Sequence, residues 1–138
     1  MIVYLEDGIT KVGSGYLEGS FIKLEINVKI GDEGAKLAKG SEVFDNIFNE
    51  IVKNSQGNSQ IKGISGTWYD ALGDNLNTFN NLIKEKVNKG ILTESEAALN
   101  TFTGKMAIKK GFSRVESIAG VKDIDGTYKY ITSIKFVK

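Results

Sequence analysis

Phe21-Ile22-Lys23-Leu24-Glu25-Ile26-Asn27-Val28-Lys29-Ile30 alternates apolar and polar side chains along its length. Ile22, Leu24, Ile26, Val28 and Ile30 share one face, and Lys23, Glu25, Asn27 and Lys29 the other, the period of a half-buried strand. A Gly- and Lys-containing loop, Gly31 to Gly40, follows. Ser41 then opens a segment in which Val43, Phe44, Ile47, Phe48, Ile51 and Val52 recur on one helical face. Ser41 suits the N-cap, where its hydroxyl accepts from free N–H groups, and Glu42 complements the dipole. A strand, a glycine loop and an amphipathic helix in succession set the class as α/β.

Working outward, Ile2 to Leu5 is a short apolar run ended by the turn signal Asp7-Gly8. Thr10 to Tyr16 reads as a weaker strand, broken by Gly13 and Gly15. Gln60 to Tyr69 is a further strand, carrying Ile61, Ile64 and Trp68. Gly63 and Gly66 inside it signal a bulge or a close backbone approach. Asp74 caps a helix bearing Leu76, Phe79, Leu82 and Ile83, closed by Asn88-Lys89-Gly90. Thr93-Glu94-Ser95-Glu96 is a capping box. Its helix carries Ala97, Ala98, Leu99 and Phe102, with Thr103-Gly104 as an interruption and Gly111 as C-cap. Arg114 to Val121 is a strand, Asp125-Gly126 a hairpin turn, and Tyr128 to Val137 the last strand. Tyr128, Tyr130, Thr132, Ile134 and Phe136 are expected on one face of it. The expected order is β-β-β-α-β-α-α-β-β, a single mixed α/β domain over 1–138 with Phe21–Ile30 as central strand and helices on the sheet faces.

Composition narrows the chemistry. A chain of 138 residues buries a core without disulfides or metal. It has no His and no Cys, which excludes Ser-His-Asp triads, Cys nucleophiles and His- or Cys-based metal sites. A net charge of +1 supplies no global field for nucleic acid or membrane. Arg114 is the single arginine among 18 basic residues, so bidentate base or phosphate reading is weakly provided for. No apolar run is long enough to span a bilayer. The chain enters a strand at once, with no signal-peptide pattern, as expected of a domain excised from a longer protein.

Several clusters carry alternative readings. The Gly31–Gly40 loop before a helix start is a ready anion site, with Lys36 and Lys39 adding charge; it is equally an ordinary surface loop. Trp68, before Tyr69 and Asp70, either lines a pocket for a flat ligand or covers the core edge. Asn75, Asn77, Asn80 and Asn81 crowd one helix. Asn75 or Asn80 could pair with a ligand backbone as a strand mimic, or serve as solvated and cap positions. Thr101, Thr103 and Lys105 around Gly104 mark either a functional turn or a break between short helices capped by Thr103. Asp70 and Asp74 are the one close carboxylate pair suited to a metal-dependent nuclease.

On the strand, glycine loop and helix start Gly40-Ser41-Glu42-Val43-Phe44, residues 20–138 resemble the GNAT acetyltransferase superfamily. The resemblance implies acyl-CoA as cofactor, its pyrophosphate held at Ala38, Lys39, Gly40 and Ser41, and its acyl arm along Ile61–Trp68. Asp70, Asp74 or Glu25 would be the base in a reaction run mostly by positioning. Separately, the run Trp68, Asn75, Phe79, Asn80, Ala97, Ala98, Thr101, Thr103, Gly104, Lys105, Gly111 and Phe112 resembles C-terminal domains of large secreted bacterial proteins of Rhs-repeat and filamentous-haemagglutinin type. That resemblance implies a toxin-type effector delivered into another cell, with a cognate immunity protein as partner. It makes Trp68, Asn75, Asn80, Thr103 and Lys105 the candidate substrate or partner contacts. The expectation is therefore an acyl-CoA-dependent effector domain. The alternatives are a non-catalytic binding domain of the same architecture, favoured by the missing His, and a nuclease built on Asp70 and Asp74.

Overall fold

A computed structural model describes residues 2–4, 11–26, 40–54, 61–69 and 75–138. The chain is mixed α/β and divides into two compact units, Met1–Ile64 and Ser65–Lys138.

The first unit holds β1 (Ile2–Tyr4), β2 (Lys11–Glu18), β3 (Phe21–Ile26) and α1 (Gly40–Asn54). β2 pairs antiparallel with both β1 and β3. Gly19 turns β2 into β3 at φ +62, a conformation that costs an L side chain but not glycine. Gly13 and Gly15 do not break β2, contrary to the sequence reading. A Cβ on Gly15 would lie 2.5 Å from Ile47 Cγ2, so the missing side chain admits α1 to the strand. Val43, Phe44, Ile47 and Ile51 of α1 are buried, as its apolar stripe requires, and Phe44 stacks on Phe48 at 6.4 Å. Residues 27–30 of the expected long strand, and most of the glycine loop, lie outside the described residues. The helix opens one residue early, so Ser41 sits in the first turn and not at the cap.

β4 (Gly63–Tyr69) carries the chain into the second unit, which adds α2 (Asn75–Leu82), a π-helical turn (Ile83–Val87), α3 (Glu94–Leu99), α4 (Phe102–Lys109), β5 (Arg114–Lys122) and β6 (Tyr128–Val137). Three helices therefore stand where two were expected. Thr93 and Glu96 form the predicted capping box, with Glu96 N–H donating to Thr93 Oγ1 at 3.1 Å and Thr93 N–H to Glu96 Oε1 at 3.0 Å. The break between α3 and α4 falls at Asn100-Thr101 and not at Thr103-Gly104. Thr101 is the cap: its Oγ1 accepts from Gly104 N–H at 3.1 Å while its hydroxyl donates to Ala98 O at 2.7 Å. Gly104 instead lets α4 press against the end of α3, since a Cβ there would lie 2.3 Å from Ala98 O. Gly111, at φ +91, ends α4. Its N–H donates to Ile108 O and that of Phe112 to Ala107 O, the two bonds of a Schellman motif.

β5 and β6 pair antiparallel across the turn at Asp125-Gly126. Tyr128, Thr132, Ile134 and Phe136 are buried as their alternation predicts, but Tyr130 is 60% exposed. The cause is a change of register: Ala119 faces Ser133 and Val121 faces Lys129. Three residues of β6 therefore oppose Gly120 alone. The excess is accommodated by Tyr130 at φ +64, the single non-glycine residue with positive φ among the described residues.

Candidate functional site

Asp70, Asp74, Ala38 and Lys39 lie outside the described residues. Glu25 lies in β3 opposite Ser14. Gly40 opens α1, and Ser41 is half-buried in its first turn.

The others are described side chains with internal partners, except Lys105. Trp68 is buried, packed edge-on against Phe79 at 5.6 Å, and Phe79 stacks on Tyr128 at 5.5 Å. Gly66 leaves room for the indole: a Cβ there would meet Nε1 at 2.9 Å. Asn75 Oδ1 accepts from Thr103 N–H at 3.1 Å, joining the starts of α2 and α4. Asn80 donates from Nδ2 to Tyr128 O at 2.7 Å and accepts at Oδ1 from Tyr128 N–H at 2.8 Å. The side-chain amide thus acts as a strand partner, but to this chain's own β6. Thr103 is buried and Lys105 exposed on α4.

A polar cluster missed by sequence reasoning lies at the same end of β6. The Tyr128 hydroxyl donates to Glu94 Oε1, and Lys122 Nζ lies 2.9 Å from Glu94 Oε2 and 5.4 Å from the centre of the Tyr128 ring. Burial, then the bond to the Glu94 carboxylate, holds the Tyr128 phenol well above its ordinary range. A phenol so held stays protonated, which disqualifies it as a base, and its proton is already committed to Glu94. The cluster ties α3 to the hairpin. The turn is fixed similarly: Asp125 Oδ1 accepts from the Thr127 hydroxyl at 2.5 Å and from Thr127 N–H at 3.0 Å, which lowers the Asp125 pKa. No group of three or more acidic residues suited to a metal exists among the described residues.

The β5–β6 hairpin also exposes apolar side chains. Val121, Ile124, Tyr130 and Ile131, all on the β5–β6 hairpin, are more than half exposed, Ile124 wholly so. The register change puts Tyr130 and Ile131 outside. Beneath them Thr132 is fully buried, and its hydroxyl has no hydrogen-bond partner, as is also true of the Trp68 indole N–H. Gly120 makes the arrangement possible, since a Cβ there would lie 2.9 Å from Thr132 Oγ1 and 3.0 Å from the Tyr128 ring. Lys129 Nζ stands 5.6 Å from the centre of the Tyr130 ring. The available sequence signal was Gly120 inside a strand, a mark of bulges, together with apolar Ile131 at a position alternation assigns to solvent.

No protein-family model, curated protein or solved structure matches this chain significantly. The functional reading therefore rests on the geometry.

Proposed function

We propose that this chain is a non-catalytic protein-interaction domain that contacts its partner through the outward face of the β5–β6 hairpin, anchored by Tyr130 and Ile131. The observation that carries this reading is the backbone of Tyr130. A φ of +64 costs an L residue about 1–2 kcal/mol. Here it turns an aromatic and an aliphatic side chain into water, where neither gains by burial. Strain retained at an exposed aromatic supports a binding role, and aromatic anchors dominate protein interfaces. Internal bonding supports the same reading, because Asn75, Asn80 and Tyr128 already have partners within the fold. Lys129 at the rim favours a partner with carboxylates around an apolar centre. Within the secreted-effector resemblance, that partner would be the cognate immunity protein.

A photoreactive aromatic residue substituted at Tyr130 tests this in the source cell. It is expected to trap one defined protein, and the same residue at exposed Ile108 on α4 is not. Equal trapping at both positions, or none at Tyr130, ends the proposal.

The acyl-CoA-dependent transferase is the second reading, favoured by the opening of α1 at Gly40, where the resemblance puts the phosphate cradle. Exposed Glu42 in the same turn opposes an anion there. Acetyl-CoA should raise the melting temperature by mass action, and Gly40→Glu should abolish the rise. No shift at millimolar ligand rejects this reading.

A further inference from the structure

Ile124 stands in the β5–β6 turn and is wholly exposed. Turn positions favour glycine and small polar residues, and an aliphatic side chain there gains nothing by burial. The backbone that carries it is nonetheless held by hydrogen bonds. Asp123 N–H donates to Thr127 O at 2.7 Å, and Gly126 N–H to Asp123 O at 3.0 Å. Ile124 N–H donates to Asp123 Oδ1 at 3.0 Å, and Asp125 Oδ1 accepts from both donors of Thr127. From the end of the π-helical turn, Asn88 Nδ2 donates to Asp125 O at 2.8 Å. Gly126, at φ +84, admits that brace, since a Cβ there would lie 3.3 Å from Asn88 Oδ1. A turn braced in this way loses little further freedom when a partner closes over Ile124.

We propose that Ile124 is a wedge that enters an apolar pocket of the hairpin's protein partner, and that lysine or arginine residues rim that pocket. This deepens the hairpin-face reading and rests on it. Charge complementarity names the rim. Asp123 and Asp125 flank Ile124 and are exposed. Neither carboxylate forms an ion pair among the described residues, although Lys84 helps to lower the Asp125 pKa. Lys129 lies beside Tyr130 instead. The patch is thus acidic at the turn and basic at the register change, which fixes how a partner must lie on it. Ile124 is two residues beyond the last ladder pair, Lys122–Tyr128, and Tyr130 is two residues before that pair on β6. Roughly 10–15 Å separates the two side chains, well inside one interface of ordinary size. A lipid surface fits poorly, because both carboxylates would meet its negative potential together with the isoleucine.

In the full chain, a diazirine-bearing leucine analogue at position 124 should trap, in the source cell, the same protein as the photoreactive residue at Tyr130. Mass spectrometry should place the link on an apolar residue of that protein. In competition for it, Ile124→Ala should be about tenfold weaker than the parent. Asp123→Asn combined with Asp125→Asn keeps the oxygens that hold the turn and removes both charges. That chain should compete about fivefold more weakly, with a shallower dependence on salt. Circular dichroism confirms that each variant is folded. Trapping at Tyr130 but not at 124, full competition by Ile124→Ala, or equal or tighter binding by the asparagine pair would each overturn the wedge and leave the hairpin-face reading standing. Silence at both positions ends both. Vesicles of phosphatidylcholine and phosphatidylserine should not bind the parent, and binding that Ile124→Ala abolishes would overturn the proposal in favour of a lipid surface.

Discussion

Replacing Tyr130 by glycine separates what the residue does for the fold from what it does at the surface. The φ of +64 costs tyrosine about 1–2 kcal/mol and costs glycine nothing. Glycine gives back about 0.5–1 kcal/mol through the greater entropy of its unfolded chain. Losing the ring also removes the Lys129 contact at 5.6 Å, which at an exposed site contributes about 0.5–1 kcal/mol. These terms nearly cancel, so Tyr130→Gly should leave stability within about 1 kcal/mol of the parent. Tyr130→Ala loses the same contact but keeps the strained backbone. It should therefore be less stable than the glycine variant by about 0.5–1 kcal/mol, with Tyr130→Asn between them because asparagine tolerates this region. Urea midpoints at equal m-values measure the order. An alanine variant as stable as the glycine variant would refute strain at this position. Partner trapping offers the second axis. Untagged parent protein should compete for the trapped partner, and all three variants should fail to compete whatever their stability.

Three further outcomes follow from the second unit. Gly104→Ala would ordinarily gain about 1 kcal/mol of helix propensity. With backbone atoms of Ala98 and Leu99 at 2.3–2.7 Å from the new Cβ, it should instead lose about 2–3 kcal/mol, read as a lowered thermal midpoint; a raised midpoint would contradict the close helix approach. Asn80→Ala leaves the Tyr128 N–H and C=O without their side-chain partner and should cost about 2 kcal/mol by chemical denaturation, whereas a surface asparagine would cost almost nothing. Below pH 10 the Tyr128 phenol is protonated in folded and unfolded chains alike. Above it the unfolded phenol releases its proton while the folded one keeps it, so stability falls with rising pH. Tyr128→Phe should lose less stability than the parent between pH 9 and 11, and equal losses would disprove the shift.

The elements were legible where a local rule acts alone. Thr93 and Glu96 announce a helix start because both partners lie within one turn. Gly111 announces a helix end because an αL backbone position is needed there, and Phe21–Ile26 shows its period directly. Glycines misled wherever their reason was non-local. Gly15 looks like a strand breaker until Ile47 arrives from a helix far along the chain. Gly104 looks like a helix interruption until α4 meets the end of α3. The candidate site was harder still. The asparagines crowded on α2 point to Asn80 as a backbone partner, and nothing nearby in sequence marks that backbone as Tyr128, which is 48 residues away.

The same non-locality hides the exposure of Tyr130 from the sequence pattern. Alternation assigns Tyr128, Tyr130 and Thr132 to one face, and an undisturbed strand would bury all three. Asn80 holds the backbone of Tyr128, and Glu94 holds its hydroxyl, so that residue cannot shift. Thr132 to Val137 is held from the other side by Ile134, Phe136 and Val137, all buried. Two fixed ends with surplus residues between them force the excess outward, and it emerges as Tyr130 and Ile131 opposite Gly120. A substitution that lets Tyr128 slide along β6 should therefore dissolve the exposed anchor without touching it. Asn80→Ala is that substitution, and it should weaken competition for the trapped partner even where the fold survives. Full competition by a folded Asn80→Ala chain would show that the anchor is set by the turn and not by the asparagine clamp.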